Sequence, residues 1–127
     1  MAYFSIAGCA NDPDYARAEM LAHHLHANLP DFHTTLLPKP PSSWPDYVAT
    51  TFTQNRWDAR MSRDRKFKKP EDLKQMIWRD SGELIGDAAD FLRMMKETYD
   101  QELQIADDLL LEVSKENMEA LTGKSGG

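Results

Sequence analysis

The sequence predicts one α/β domain in the order βαβ–α–ββα, closed by a long C-terminal helix. Two short β-favouring runs, residues 3–7 and 32–37, flank a stretch with helical spacing. Residues 75–78 and 83–85 form a second pair of such runs, separated by the turn sequence Arg79-Asp80-Ser81-Gly82. From Leu92 onward, apolar residues recur at steps of three or four for more than twenty positions. A strand, a helix and a strand in close succession imply a parallel pair with a right-handed crossover, and the later pair implies a hairpin.

Each element has its own local reason. The first strand is apolar and ends at Gly8. Asp12-Pro13 then starts a helix, because aspartate caps the free N–H groups and proline suits the first helical position. Ala18, Leu21, Ala22, Leu25 and Leu29 keep helical spacing, so the helix runs to about Asn28 and stops before Pro30. The second strand carries Thr34 and Thr35 and is closed by Pro38, Pro40 and Pro41. Ser42 or Ser43 caps a second helix through Trp44, Tyr47, Val48, Thr51 and Phe52, ending near Asn55. Residues 58–72 hold almost no apolar side chains besides Met61 and Phe67, and read as a charged, mobile loop. Asp87 caps the last helix, with Asp90 in its first turn where a carboxylate favours the dipole.

That helix is predicted to overrun the domain. Leu92, Met95, Tyr99, Leu103, Ala106, Leu110 and Val113 lie on one stripe, and Leu121 extends it toward the glycine-rich end. About 30 helical residues rise ~45 Å, more than the diameter of a domain this size. The expected organisation is therefore a body over residues 1–98, a protruding acidic amphipathic helix over 99–122 and a flexible tail over 123–127. The alternative is a helix that bends back across the sheet or frays after about Gln101.

Composition narrows the function classes. At 127 residues the chain is too short for a two-lobed kinase or most cofactor-dependent dehydrogenases. It has no run of the ~18 apolar residues needed to span a membrane, and its start lacks the basic and apolar regions of a secretory signal. A single cysteine, Cys9, excludes an internal disulfide and a cysteine-rich zinc site. The expected setting is cytoplasmic and reduced. The net charge of −6 is unevenly spread: residues 56–74 carry eight basic groups against four acidic ones, and residues 97–121 carry eight acidic groups against Lys115 alone. Such asymmetry concerns partners rather than fold.

This order of elements is that of the thioredoxin-like fold in its short, glutaredoxin-type form. Phe4-Ser5-Ile6-Ala7-Gly8, Asp12-Pro13-Asp14-Tyr15-Ala16, Asn28-Leu29-Pro30-Asp31-Phe32 and Ile77-Trp78-Arg79 narrow it further. They resemble the N-terminal domain of the B-type putative malate dehydrogenase of ciliated cells. The resemblance covers residues 3 to about 98, with an insertion around 58–74. The family's larger dehydrogenase domain has no counterpart here, and Gly82 and Gly86 stand alone rather than in a dinucleotide fingerprint. What the resemblance implies is a ciliary or flagellar location.

Glutaredoxin chemistry needs a cysteine at the start of the first helix, where the dipole and free N–H groups lower the thiol pKa. Against the glutaredoxin Cys-Pro-Tyr-Cys, this sequence reads Asp12-Pro13-Asp14-Tyr15, so both thiols are replaced. Gln75 stands where related proteins carry a proline before the third strand. Gly86-Asp87 stands for the glycine pair that receives glutathione's carboxylate, which Asp87 would repel. Cys9 reads as a small buried hydrophobe, with a reactive thiol as the lesser alternative.

The remaining candidates are surfaces. His23 and His26 share a helix face, with His24 and His33 nearby, but no carboxylate or cysteine completes a metal set, and a solvated helix end is the better reading. The basic stretch, with Arg63, Arg65, Lys66 and Lys68, lacks stacking aromatics apart from Trp57 and Phe67. It reads as a solvated loop or a dock for an acidic protein surface, not for nucleic acid. Leu103, Ala106, Leu110 and Val113 are the expected partner-binding stripe. The expectation is a non-catalytic adaptor without cofactor or metal, joined to other axonemal proteins in a large complex, away from membrane and nucleic acid. A glutaredoxin-like redox protein using Cys9 is the alternative. A small nucleotide- or metal-binding module is the third possibility.

Overall fold

The computed structural model describes residues 2–57 and 72–122. β1 (Ala2–Cys9), α1 (Pro13–Asn28) and β2 (Phe32–Lys39) form the expected βαβ unit, and β1 and β2 run parallel in the register Ala2 to Phe32. A 3₁₀ turn at Pro41–Ser43 leads into α2 (Trp44–Asn55). β3 (Gln75–Arg79) and β4 (Leu84–Gly86) are the antiparallel hairpin, followed by α3 (Ala88–Tyr99) and α4 (Asp107–Thr122). The sheet order is β2-β1-β3-β4, with β3 antiparallel to β1. This is the thioredoxin-like arrangement. β2 continues through Pro38, where the sequence predicted closure, because β2 is an edge strand that pairs only with β1 and the missing N–H breaks no second ladder.

The two faces of the sheet build two cores. Phe4 and Ile6 point to the side covered by α1 and α3, where they meet Tyr15, Leu21, Leu25, Phe91 and Met95. Ala7 and Met76 point to the other side, against Trp44, Val48, Phe52 and Trp57. This is the period-two alternation of a strand buried on both faces. Trp57, counted with the basic loop in the sequence, is instead a core residue: its Nε1 donates to the carbonyl of Gly82 at 2.8 Å and its ring packs edge-on to Phe52 and Trp78. The notional loop itself, residues 58–71, lies outside the described residues, and with it Arg63, Arg65, Lys66 and Lys68.

α3 starts on a reciprocal cap. Asp87 Oδ1 accepts from the Asp90 N–H at 3.1 Å, and Asp90 Oδ2 accepts from the Asp87 N–H at 3.2 Å. The preceding Gly86 has φ +134°, and a Cβ there would sit 2.2 Å from Asp90 Oδ2, so the turn needs glycine for the cap to close. Asp87→Ala is expected to lower stability by about 1 kcal/mol, read as a shift in urea midpoint at unchanged slope.

The single long helix expected at the C-terminus is corrected. α3 ends at Tyr99, where Asp100 takes the left-handed conformation (φ 54°) and the Gln101 N–H reaches back to the Met95 carbonyl at 3.3 Å. The Asp100 N–H still bonds the Lys96 carbonyl at 3.0 Å, and a left-handed residue at this point ends a helix. Residues 101–106 are non-helical, and Leu103 packs against the α1–α3 core. α4 then lies against α1 instead of protruding: Leu110 and Ser114 are buried, Asn117 Nδ2 donates to Glu19 Oε1 at 3.1 Å, and Asp107 lies 3.7 Å from Arg17. The physical reason is the one that made the protruding form costly, since an unpaired apolar stripe forgoes ~1.5–3 kcal/mol for each large side chain left in water.

Candidate functional site

Three element ends meet at Asp12, the residue expected from the sequence to stand for a glutaredoxin thiol. The N-terminus of α1 presents Asp12, the first residue of β3 is Gln75, and α3 begins at Ala88. Asp12 Oδ1 accepts from the Asp14 N–H at 3.0 Å, as an N-cap should. Its other oxygen accepts from Gln75 Nε2, and Gln75 Oε1 accepts from the Ala88 N–H at 3.0 Å. One buried amide, 4% exposed, thus ties both helix starts to the sheet. Asp12, which the sequence sets against the first glutaredoxin cysteine, thus has both carboxylate oxygens engaged.

Tyr15, set by the sequence against the second glutaredoxin cysteine, is held still more firmly. Tyr15 is fully buried, and burial, followed by the charge and hydrogen bond of Glu19, holds its phenol far above the usual range. Its ring lies on the backbone of Gly8, where a Cβ would stand 2.6 Å from Tyr15 Cδ1. Pro13 at the first helical position completes the local pattern. Asp87, which caps α3, places its carboxylate on the Asp90 N–H. A groove of about 370 Å³ beside these groups has Asp14, Asp72, Asp87, Arg17 and Lys74 on its walls, a mixed-charge lining with no thiol.

Cys9 is the last residue of β1, half-buried at the edge of the Trp44–Phe52 cluster. Burial first, and Asp12 second, push its thiol pKa up, against a smaller opposing pull from Lys74. At neutral pH the reactive thiolate is therefore scarcer than in a free cysteine, and alkylation of Cys9 by iodoacetamide at pH 7.4 is expected to run slower than that of glutathione. An alkylation rate above that of glutathione would contradict this placement.

The other predicted residues are dispersed. Ala106 is exposed and Val113 half-buried, while Leu110, at 2% exposure, faces α1 and is not free to bind a partner. His26 Nδ1 bonds the Phe32 carbonyl at 2.7 Å and its ring lies 5.5 Å from that of His33. His24 pairs with Asn28 and stays on the helix surface. No group of three or more metal-ligating side chains converges among the described residues. No helix among them is long and apolar enough to cross a membrane.

A family model described as "Putative malate dehydrogenase 1B N-terminal domain" matches residues 3–125. The chain belongs to that family. It is 30% identical over 126 residues to Putative malate dehydrogenase 1B of Homo sapiens, covering 94% of this chain and 22% of the relative. The Bos taurus protein of the same name is 31% identical over 124 residues, covering 93% and 24%. That of Branchiostoma floridae is 29% identical over 124 residues, covering 93% and 22%. The chain thus spans between a fifth and a quarter of the length of these relatives. The match runs past residue 98 to residue 125, so the family's domain includes α4, in agreement with its packing on α1.

Sequence reasoning named Asp12, Tyr15 and Gln75 as losses but missed what replaces the chemistry. The signal was present: an amide side chain at a strand start, facing two aspartate-capped helices, offers both a donor and an acceptor. The Glu19–Asn117 contact joins residues 98 positions apart and left no local trace.

Proposed function

We propose that this chain is a non-catalytic thioredoxin-like docking domain of a ciliary, axonemal assembly, working without metal or cofactor. The observation that carries the reading is the Asp12–Gln75–Ala88 bridge, which stands where disulfide exchange would need a free thiolate. Docking uses the outer side of α4 rather than the stripe first expected. Leu109 and Leu111 are 43% and 61% exposed on its two shoulders, beside the exposed carboxylates Asp108, Glu112, Glu116 and Glu119. Arg63, Arg65, Lys66 and Lys68 supply a second, basic contact for an acidic protein surface. The axonemal setting rests on the resemblance to the proteins of ciliated cells.

The test is a tagged full chain expressed in multiciliated cells, followed by detergent extraction. The wild type is expected to stay with the axoneme, and the double substitution Leu109→Glu/Leu111→Glu to leave with the detergent. A wild type that washes out would refute the docking reading. In parallel, the purified chain is expected to show no glutathione-dependent disulfide exchange. Turnover that vanishes in Cys9→Ser would instead establish the redox alternative.

A further inference from the structure

At the opposite end of the sheet from Asp12, a cleft of about 690 Å³ opens between the start of β1, the turn before β2 and the end of β3. Tyr3, Leu29, Asp31, Arg79, Ser81 and Tyr99 line it. Two sequence segments that the proposed docking function leaves unused, residues 29–32 and 79–81, meet here.

The cleft is held in shape by its own backbone. Asp31 sits in the left-handed region (φ 61°), where its carbonyl accepts from the Ala2 N–H at 2.9 Å. The Asp80 N–H donates to the Tyr3 carbonyl at 3.1 Å, which fixes the facing turn. A non-glycine residue in this conformation persists only where its surroundings hold it, and such strain gathers at binding sites.

Arg79 is the one cation of the lining among the described residues. Its guanidinium carbon lies 5.6 Å from the centre of the Phe4 ring. Its Nε is buried and makes no hydrogen bond among the described residues. Glu83 Oε1 lies 3.2 Å from that nitrogen but out of line with its N–H, in an ion pair whose side chains are 43% and 60% exposed. The terminal nitrogens make no hydrogen bond among the described residues. A guanidinium fork whose outer nitrogens make no hydrogen bond among the described residues fits a carboxylate held by two parallel hydrogen bonds. Leu29 and Tyr99 add an apolar wall, and Asp31 and Asp80 in the same lining repel a doubly charged phosphate more strongly than a singly charged carboxylate.

We propose that this cleft binds a monocarboxylate carried on an apolar body, the carboxylate on Arg79 and the body against Leu29 and Tyr99. Two sources share that chemistry: the C-terminal residue of a peptide, and a free aromatic or aliphatic acid. The site is independent of docking through α4, and the two readings stand or fall separately.

The experiment is a titration of the isotope-labelled full chain followed by amide NMR shifts. The probes are N-acetyl-phenylalanine, the tripeptide acetyl-Ala-Ala-Phe with a free carboxylate, the C-terminal amides of both, and inorganic phosphate. The acids are expected to give saturable shifts confined to residues 2–4, 29–32, 79–82 and 99, and the amides and phosphate none. Arg79→Gln should weaken binding about tenfold or more and Arg79→Lys less, because lysine keeps the charge without the fork. Glu83→Gln should tighten binding about two- to fivefold, since it removes a weak competitor for the guanidinium. Tighter binding of the tripeptide than of the single residue assigns a protein tail as the source, and the reverse assigns a small acid. Equal binding of acid and amide, shifts elsewhere in the domain, or no gain from Glu83→Gln would overturn the proposal.

Discussion

Gln75→Leu is expected to lower the unfolding free energy by about 3 kcal/mol, a fall of roughly 10 °C in melting temperature for a domain of this length. The substitution preserves volume and burial but removes a donor and an acceptor together. The Asp12 carboxylate loses the Gln75 amide, and the buried Ala88 N–H is left without a partner. Each unsatisfied group costs about 1–3 kcal/mol, more for a charged one. Because the bridge joins α1, β3 and α3, the loss should also loosen the seam between the helix starts, visible as faster amide exchange at Ala88 and Asp14. An unchanged melting temperature would show that water or a shifted side chain replaces the bridge at little cost.

Gln75→Glu separates geometry from charge at the same position. The introduced carboxyl keeps an acceptor for the Ala88 N–H but faces Asp12 as a like charge. Two carboxylates sharing a site raise the folded-state pKa of the pair. Between roughly pH 4 and pH 7 the folded state then binds more protons than the unfolded chain, so stability falls as pH rises. Below about pH 4 the introduced group is neutral in both states and donates a hydrogen bond again, so the deficit against the wild type should shrink there. A deficit independent of pH would point to lost shape rather than to charge.

The body of the fold was legible because its signals are local. Asp12-Pro13 caps α1, Asp87 and Asp90 cap α3, and each does what short-range chemistry dictates. The strands were legible from their alternation and their turns, as were the parallel β1–β2 pair and the β3–β4 hairpin, whereas the β1–β3 pairing that joins them left no local signal. The C-terminal segment was misread because its apolar residues kept steps of three or four straight across a break. Leu103 and Leu110 happen to fit one stripe, though one lies on an extended link and the other on a new helix. A competing signal was present: Gln101-Glu102-Leu103-Gln104-Ile105-Ala106 alternates polar and apolar side chains at its centre, the period of an extended chain, and burial alternates with it. No glycine or proline marks the stop, because Asp100 itself adopts the left-handed cap. The candidate site was half legible for a related reason. Departures from the glutaredoxin cysteine pattern can be read from single positions, whereas the amide bridge at Asp12 spans 63 residues and exists only in the folded chain.

The split helix reverses the consequence of charging its apolar stripe. Were α4 a free rod, Leu110→Glu would weaken association and leave the domain's stability intact. With Leu110 buried against α1, the same substitution is expected to remove about 2–3 kcal/mol, because a carboxylate cannot occupy that contact without neutralising or leaving it. The loss has a ceiling. α4 is joined to the body through a non-helical link and can detach as a unit, so the penalty cannot exceed the free energy that docks it. Amide protection should therefore collapse across residues 107–122 while β1 and β3 keep theirs. Leu111→Glu, one position on and 61% exposed, should stay within about 0.5 kcal/mol of the wild type and leave α4 protected. Equal effects from the two substitutions would mean that α4 does not rest on α1 in solution. The unequal pattern would separate the residues that hold the arm to its body from those that face a partner.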